Sequence, residues 1–331
     1  MDELLRKRFL FVAGKGGVGR TTVSVALALA AAAEGRRVLL AGAPGKDRIG
    51  KLLGLGHALG TERVTAASGL DALHLEASAA LAEYGRLVLR SAALYRALFQ
   101  NPLVASFLRG TPGLDAWAVL GKAAWHALDE EGEDDGGDPA GAGAAGSPPP
   151  GSRSRRALRY DLVILDGPAT GHALDMLRVP RVIQDASPPG LLRREAERAW
   201  GLLTDPDQAG VVLVTLPEDM PVDETIELHL ALQELELPVP RLVVNRVWPR
   251  LCPPDARSRL IALPDALPPD ARALRALAEA GRRRAARESA QAEALARLDE
   301  ALPDLPRTDL PHLFLPHFGR EAVASLAAAF R

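Results

Sequence analysis

Apolar positions along this chain alternate between short unbroken runs and longer stretches with helical spacing. Residues 10–12 (LFV) form the first run, the pattern of a strand buried on both faces. Residues 23–34 are strong helix formers, and the helix is expected to stop at Gly35, where a left-handed cap is easy. Residues 37–41 (RVLLA) predict a second buried strand and residues 73–76 a weaker one. From residue 78 to about residue 128 the spacing is helical. Leu81, Tyr84 and Val88 share one face, Leu94 and Leu98 another, Leu103 pairs with Phe107, and Trp117 with Leu120 and Ala124. Asn101-Pro102 and Thr111-Pro112-Gly113 divide this stretch into several helices. It reads either as a layer packed on a sheet or as a crown whose apolar surface takes a client or partner helix.

At residues 129–156 the composition changes to DEEGEDDGGD, then alanine and glycine, then a proline run and arginines, which predicts a flexible insertion. Residues 162–165 resume as a buried strand ending in Asp166. A charged helix over 191–203 and a strand over 211–215 (VVLVT) follow. Pro221 suits a helix start, with Leu228, Leu232 and Leu235 on one face. A strand at 242–244 leads into Asn245 and Arg246. Beyond it, Arg282, Arg283, Arg284 and Arg287 read as a solvated helix face, and Leu295, Leu298 and Leu302 as a core stripe. A short strand at 313–315 and a helix from Arg320 close the chain. The alternation implies an α/β fold over 1–331: a mostly parallel, doubly wound sheet with helices on both faces and an inserted helical subdomain at 78–128.

The chemistry concentrates between the first strand and first helix, where residues 13–22 read AGKGGVGRTT. Gly14 and Gly19 have the spacing of a Walker A loop, whose glycines let backbone N–H groups close round phosphate oxygens at a helix N-terminus. That makes the fold of the P-loop NTPase type, with ATP and Mg2+ as the expected ligands. Thr21 offers its hydroxyl to magnesium. The position before it calls for lysine, a compact charge on the β- and γ-phosphates, and this chain has Arg20, whose planar fork is larger. Asp166, at a strand end, suits a Walker B carboxylate on magnesium or its water shell. Residues 167–172 can bend round the third phosphate as a turn in which His172 is structural. Asn245 lies where doubly wound sheets bind ligands, and its amide could read an adenine edge.

Composition narrows this picture. A net charge of −2 supplies no global basic field, so nucleic acid is not expected as a partner. The single cysteine, Cys252, excludes an internal disulfide and any one-chain site needing paired cysteines, and fits a reducing cytoplasm. The first apolar run leads straight into the phosphate loop, so it is expected to be neither signal peptide nor membrane span. Charge or proline interrupts every other apolar stretch, so no integral membrane segment is expected.

The GKGGVG arrangement, with Lys15 after the first glycine, resembles the deviant Walker A of the ParA, MinD, nitrogenase iron protein and arsenite-pump ATPase group. With ATGHALDML, LVTLPEDMPVDET, VVNRV and the helical stretch from EYGRLVL to LGKAAWHAL, the chain resembles the ArsA family: arsenite-pump ATPases and relatives that target tail-anchored membrane proteins. The resemblance implies a nucleotide-gated dimer in which the early lysine, Lys15, reaches the partner's nucleotide. Gly14, Lys15, Gly16, Gly17, Val18, Gly19, Arg20, Thr21 and Thr22 would hold the nucleotide. Thr21 and Asp166 would hold the metal, Lys15, Arg20 and Asp166 would carry the chemistry, and Asn245 would contact adenine.

The departures are specific. The family's first switch usually reads STDPAH, and an ungapped reading puts Pro44 at its aspartate, with Asp47 three places late. The second switch has proline and alanine exchanged at Pro168 and Ala169. Cys252 alone can supply neither the arsenite site of the pumps nor the zinc-binding cysteine pair of the targeting relatives, so arsenite transport is not expected. The reading is a cytoplasmic ATP-binding switch that hydrolyses ATP weakly and couples nucleotide state to dimerisation, as homodimer or heterodimer with a related ATPase, and to a hydrophobic protein client. The alternatives are a non-hydrolysing nucleotide sensor or regulatory half of a heterodimer, and a partition or positioning ATPase.

Overall fold

The structure is a computed structural model that describes residues 3–42, 48–89, 113–128, 158–251, 253–268 and 270–331. The first-switch positions Pro44 and Asp47, the helical pattern at Leu94, Leu98, Leu103 and Phe107, the 129–156 insertion and Cys252 lie outside the described residues.

In chain order the elements are α1 (Glu3–Arg6), β1 (Phe9–Gly14), α2 (Arg20–Ala33), β2 (Val38–Gly42), α3 (Ile49–Leu53), β3 (Val64–Ala67), β4 (Leu70–His74), α4 (Ala77–Leu89) and α5 (Leu114–Leu128). Then come β5 (Leu162–Asp166), α6 (Thr170–Ala186), α7 (Leu191–Thr204), β6 (Ala209–Thr215), α8 (Asp219–Glu234), β7 (Arg241–Val247), α9 (Pro254–Ala266), α10 (Arg272–Ala301), β8 (Arg307–Pro311) and α11 (Arg320–Ala327). The eight strands form one sheet in the order β3-β4-β2-β5-β1-β6-β7-β8, parallel throughout except for the β3–β4 hairpin.

β1 runs down the middle, between β5 and β6, and shows why the central strands carry no polar alternation. Phe9, Phe11 and Ala13 face one apolar layer, while Leu10 and Val12 face the other. The first layer is built mainly from α5, α6, α7, α8 and α10, the second from α1, α2, α3 and α11. Trp117, Leu120 and Ala124 of α5 belong to the first, so this helix packs on the sheet. Because β1, β5 and β6 are parallel neighbours, their C-terminal ends open on one edge, where ligands bind in such sheets.

The edges differ from the sequence expectation. The weak strand expected at 73–76 is β4, at Leu70–His74, and it pairs with β3, which no apolar run announces. The last strand is β8 at Arg307–Pro311, not residues 313–315. The apolar Phe314 and Leu315 are instead exposed, and in β8 only Leu310 is buried. An edge strand needs one good apolar contact and ladder hydrogen bonds, which leaves little pattern to read.

The arginines of α10 are not a plain solvated face. Arg284 Nε donates to Glu288, a buried carboxylate, at 2.7 Å, and Arg282 pairs with Glu279 and Asp265. Arg284 and Arg287 both lie over the Trp248 ring.

At the opposite, N-terminal edge of the sheet, buried Tyr160 donates its hydroxyl proton to Asp71 at 2.9 Å and accepts from Arg63 at 3.2 Å. Burial pushes the phenol's pKa up. Tyr160→Phe is expected to cost about 1 kcal/mol, seen as a lower denaturation midpoint at constant m-value. An unchanged midpoint would mean that the Asp71 bond contributes nothing.

Candidate functional site

The loop between β1 and α2 turns on glycines at two crowded positions. Gly14 has φ 153° and Gly19 φ 97°. A Cβ on Gly14 would lie 2.2 Å from the Val214 carbonyl oxygen of β6, and one on Gly19 would lie 2.2 Å from Asn245 Nδ2. Space therefore demands glycine at both. Gly16 and Gly17 have nothing within 4 Å of an added Cβ, so that side of the loop is open. Val18 is buried beneath it. Arg20 begins α2, so the helix presents the backbone N–H groups of its first turn, which includes Thr21 and Thr22, to the loop.

On the neighbouring strand, β5 ends at Asp166, and register pairs it with Val12. Thr21 donates its hydroxyl to Asp166 Oδ2 at 2.7 Å, and Ser24, one turn on, donates to Oδ1 at 3.0 Å. Both carboxylate oxygens are thus engaged by one face of α2. Burial pushes the Asp166 carboxyl above its ordinary range, while the two hydroxyls and the charges of Arg20 and His74 oppose the shift. A hydroxyl and a carboxylate at hydrogen-bonding distance are the hard oxygen donors that magnesium takes alongside phosphate and water. Among the described residues no group of three or more His, Cys, Asp or Glu could hold a metal ion.

The two loop cations are held within the chain. Lys15 is paired with Glu224 of α8. An Arg20 Nη1–H donates to the Pro168 carbonyl, in the turn between β5 and α6. Burial lowers the Arg20 pKa, partly offset by Asp166. That turn is shorter than the sequence suggests. α6 starts at Thr170, so only residues 167–169 bend, and His172 is an exposed residue of the first helical turn.

Asn245 sits within β7, only 4% exposed. Its Nδ2 donates to Val18 O at 2.8 Å and its Oδ1 accepts from Arg246 N at 2.9 Å. The amide braces the loop between β1 and α2, and reaching an adenine edge would require exchange of these bonds. Beyond it, Trp248 stacks on His312 at 4.9 Å and meets Phe314 edge-on at 5.0 Å. Arg284 and Arg287 supply the cations over that indole, and with Arg246 they join burial in lowering the His312 pKa.

Of the sequence-predicted residues, the structure brings Thr21, Arg20 and Asp166 together, seats Asn245 under the loop, and points Lys15 at α8. Reading the sequence missed Ser24, Glu224, His74, the Pro168 carbonyl and the Trp248 group. Ser24 had a signal, since it follows Thr21 by three residues on one helix face. The others meet the site only through tertiary structure.

The sequence model of the ArsA ATPase family, described as anion-transporting ATPase, matches residues 7–129 and 192–254. ATPase BagA of Mycobacterium tuberculosis is 29% identical over 246 residues, which cover 73% of this chain and 66% of that protein. An arsenical pump-driving ATPase of Escherichia coli is 26% identical over 258 residues, 73% of this chain and 40% of that one. ATPase GET3 of Kluyveromyces lactis is 23% identical over 274 residues, 72% of each. The chain thus spans 66% of the mycobacterial relative and 40% of the pump ATPase. Among the described residues no helix is long and apolar enough to cross a membrane.

Proposed function

The chain belongs to the ArsA ATPase family of anion-transporting ATPases, and on that premise we propose that it binds ATP with magnesium and hydrolyses it slowly, as a switch that couples nucleotide state to dimerisation and to a protein client. The observation that carries this reading is the 2.7 Å contact between Thr21 in the loop and Asp166 at the end of β5. It puts a hydroxyl and a carboxylate, the oxygen donors magnesium takes, together beside a loop that is open at Gly16 and Gly17, which supports the reading.

In this reading the backbone amides of residues 14–22 hold the phosphates, helped by the N-terminal end of α2. Thr21 and Asp166 hold magnesium, and Ser24 keeps the carboxylate oriented. Magnesium, when bound, neutralises charge shared by the outer phosphates. Arg20 stabilises the transferring phosphoryl group. The base lies toward the ends of β7 and β8, with Asn245 at its edge and Trp248 and Phe314 nearby as aromatic faces. Lys15 acts on the partner's nucleotide, as the family resemblance implies, and for that its Glu224 pair must open. The hydrophobic client is assigned to the 78–128 subdomain, whose apolar positions at helical spacing suit a partner helix.

The test is magnesium-dependent ATP turnover by the purified chain together with a nucleotide titration. Thr21→Ala is expected to lower turnover about 10- to 100-fold. A second reading, a non-hydrolysing sensor that forms a heterodimer with an intact homologue, is favoured by the engagement of Arg20 with Pro168 and by Pro44 at the first-switch aspartate position. Tight ATP binding without turnover would select it, and no binding would overturn both.

A further inference from the structure

Two departures from the family pattern, Arg20 in the loop and Pro168 in the turn after β5, are 148 residues apart and touch each other. Elsewhere the turn is tied by its backbone: Gly167 N–H donates to Val12 O at 3.1 Å and Ala173 N–H to Ala169 O at 2.9 Å, and Ala169, the residue before α6, makes no side-chain cap. Arg20 holds the carbonyl of the residue between these two anchors, so what it does bears on the start of α6. A guanidinium carries five N–H donors in one plane, so it can keep one on the Pro168 carbonyl and turn others to a phosphate oxygen. A lysine ammonium, compact and with three donors, serves the phosphate as a point charge and lacks that fork.

We propose that Arg20 is a positioning residue that links the third phosphate of a bound nucleoside triphosphate to the Pro168 carbonyl, so that the turn and α6 report triphosphate against diphosphate. This rests on the reading that the loop binds ATP. The outermost phosphate is the one concerned because the residue before Thr21 in such loops serves the β- and γ-phosphates. With a diphosphate the guanidinium keeps Pro168 but has no γ-oxygen to bridge to, and the turn loses its second tether. The signal then passes into the helical layer, since α6 packs beside α5 and α7 in the apolar layer they share.

The experiment compares ADP with a non-hydrolysable ATP analogue in the wild type, in Arg20→Lys, and in the exchange Pro168→Ala/Ala169→Pro, by binding titration and by hydrogen exchange of the 160–180 segment. Ala169 already has φ −65°, which a proline ring accepts, and a proline there redirects the residue before it. The wild type is expected to prefer the triphosphate about fivefold or more, with slower exchange around residues 167–175. In either variant the difference in protection should collapse and the triphosphate preference should fall, because neither a lysine without the fork nor a redirected carbonyl completes the bridge. Combining the two should cost no more than either alone, because both remove one link. If Arg20→Lys does not fold, the exchange variant carries the test with Arg20 intact. Retention of the wild-type preference and protection in the variants would overturn the proposal, as would a wild type that binds both nucleotides with equal protection. A wild type that binds neither would instead overturn the ATP reading on which it rests.

Discussion

Asp166→Asn is expected to lower magnesium-dependent ATP turnover by about 10³-fold and, at the same time, to raise the melting temperature of the ligand-free protein at neutral pH. The first effect follows from loss of the carboxylate charge opposite Thr21. The second follows from burial, which pushes the Asp166 pKa above its unfolded value despite the two hydroxyl donors and Arg20. A carboxyl with a raised folded pKa contributes most when it is protonated in both states. That contribution is complete below the ordinary aspartate range and is lost as pH rises through the raised value. The asparagine variant never ionises, so its advantage should be greatest at neutral pH and should vanish as pH falls toward and below the ordinary carboxylate range. Turnover assays and melting curves over a pH series check both halves. Unchanged turnover would remove Asp166 from the metal site, and a lower melting temperature at neutral pH would mean that its hydrogen bonds outweigh its burial.

The same contrast between enclosed and exposed positions explains how much the sequence discloses. β1, β2, β5, β6 and β7 are legible because helices cover both faces, which turns them into continuous apolar runs. β3 and β8 are not legible, since an edge strand such as Arg307–Pro311 buries little beyond Leu310 while the more apolar 313–315 run stays exposed. The glycine loop between β1 and α2 is legible because backbone conformation restricts residue type: Gly14 and Gly19 are required by close contacts. Partners such as Glu224 and the Pro168 carbonyl carry no such signature, because any of the chain's many carboxylates or carbonyls could have met Lys15 or Arg20. The arginines of α10 show the limit from the other side. A charge run reads as solvated until a buried Glu288 and an indole are found beneath it.

Both loop cations are engaged within the chain, Lys15 by Glu224 and Arg20 by the Pro168 carbonyl and the charge of Asp166. In the proposed reading Lys15 must leave Glu224 to act on a nucleotide, while Arg20 has donors enough to hold Pro168 and a phosphate oxygen together. Binding energy would then be divided between holding nucleotide, releasing a contact to α8 and tightening the turn before α6, which would give a nucleotide leverage over helices it does not touch.

Gly14→Ala is expected to be the most damaging single substitution for the fold itself. The residue has φ 153°, a region that L side chains rarely adopt. Its new methyl would lie 2.2 Å from the Val214 carbonyl oxygen, on a strand paired with it and buried along its whole length. Neither strand can move aside without breaking the centre of the sheet. Strain and overpacking together should cost about 3 kcal/mol, since each mechanism alone costs about 1–3 kcal/mol. In a chain of 331 residues that is a fall of about 4 °C in melting temperature. Gly19→Ala should cost less, because it meets the end of the Asn245 side chain, which can give up its bond to Val18 where a backbone carbonyl in a sheet cannot yield. Gly16→Ala should leave stability within about 0.5 kcal/mol, having open space and ordinary backbone, and its effect should fall on nucleotide binding alone. Melting curves and ADP titrations of the three variants separate the two roles of the loop. A Gly14 variant as stable as the wild type would mean that β1 and β6 are not locked together at the loop, and the order Gly14, Gly19, Gly16 in lost stability would tie the loop's shape to the strands beneath it.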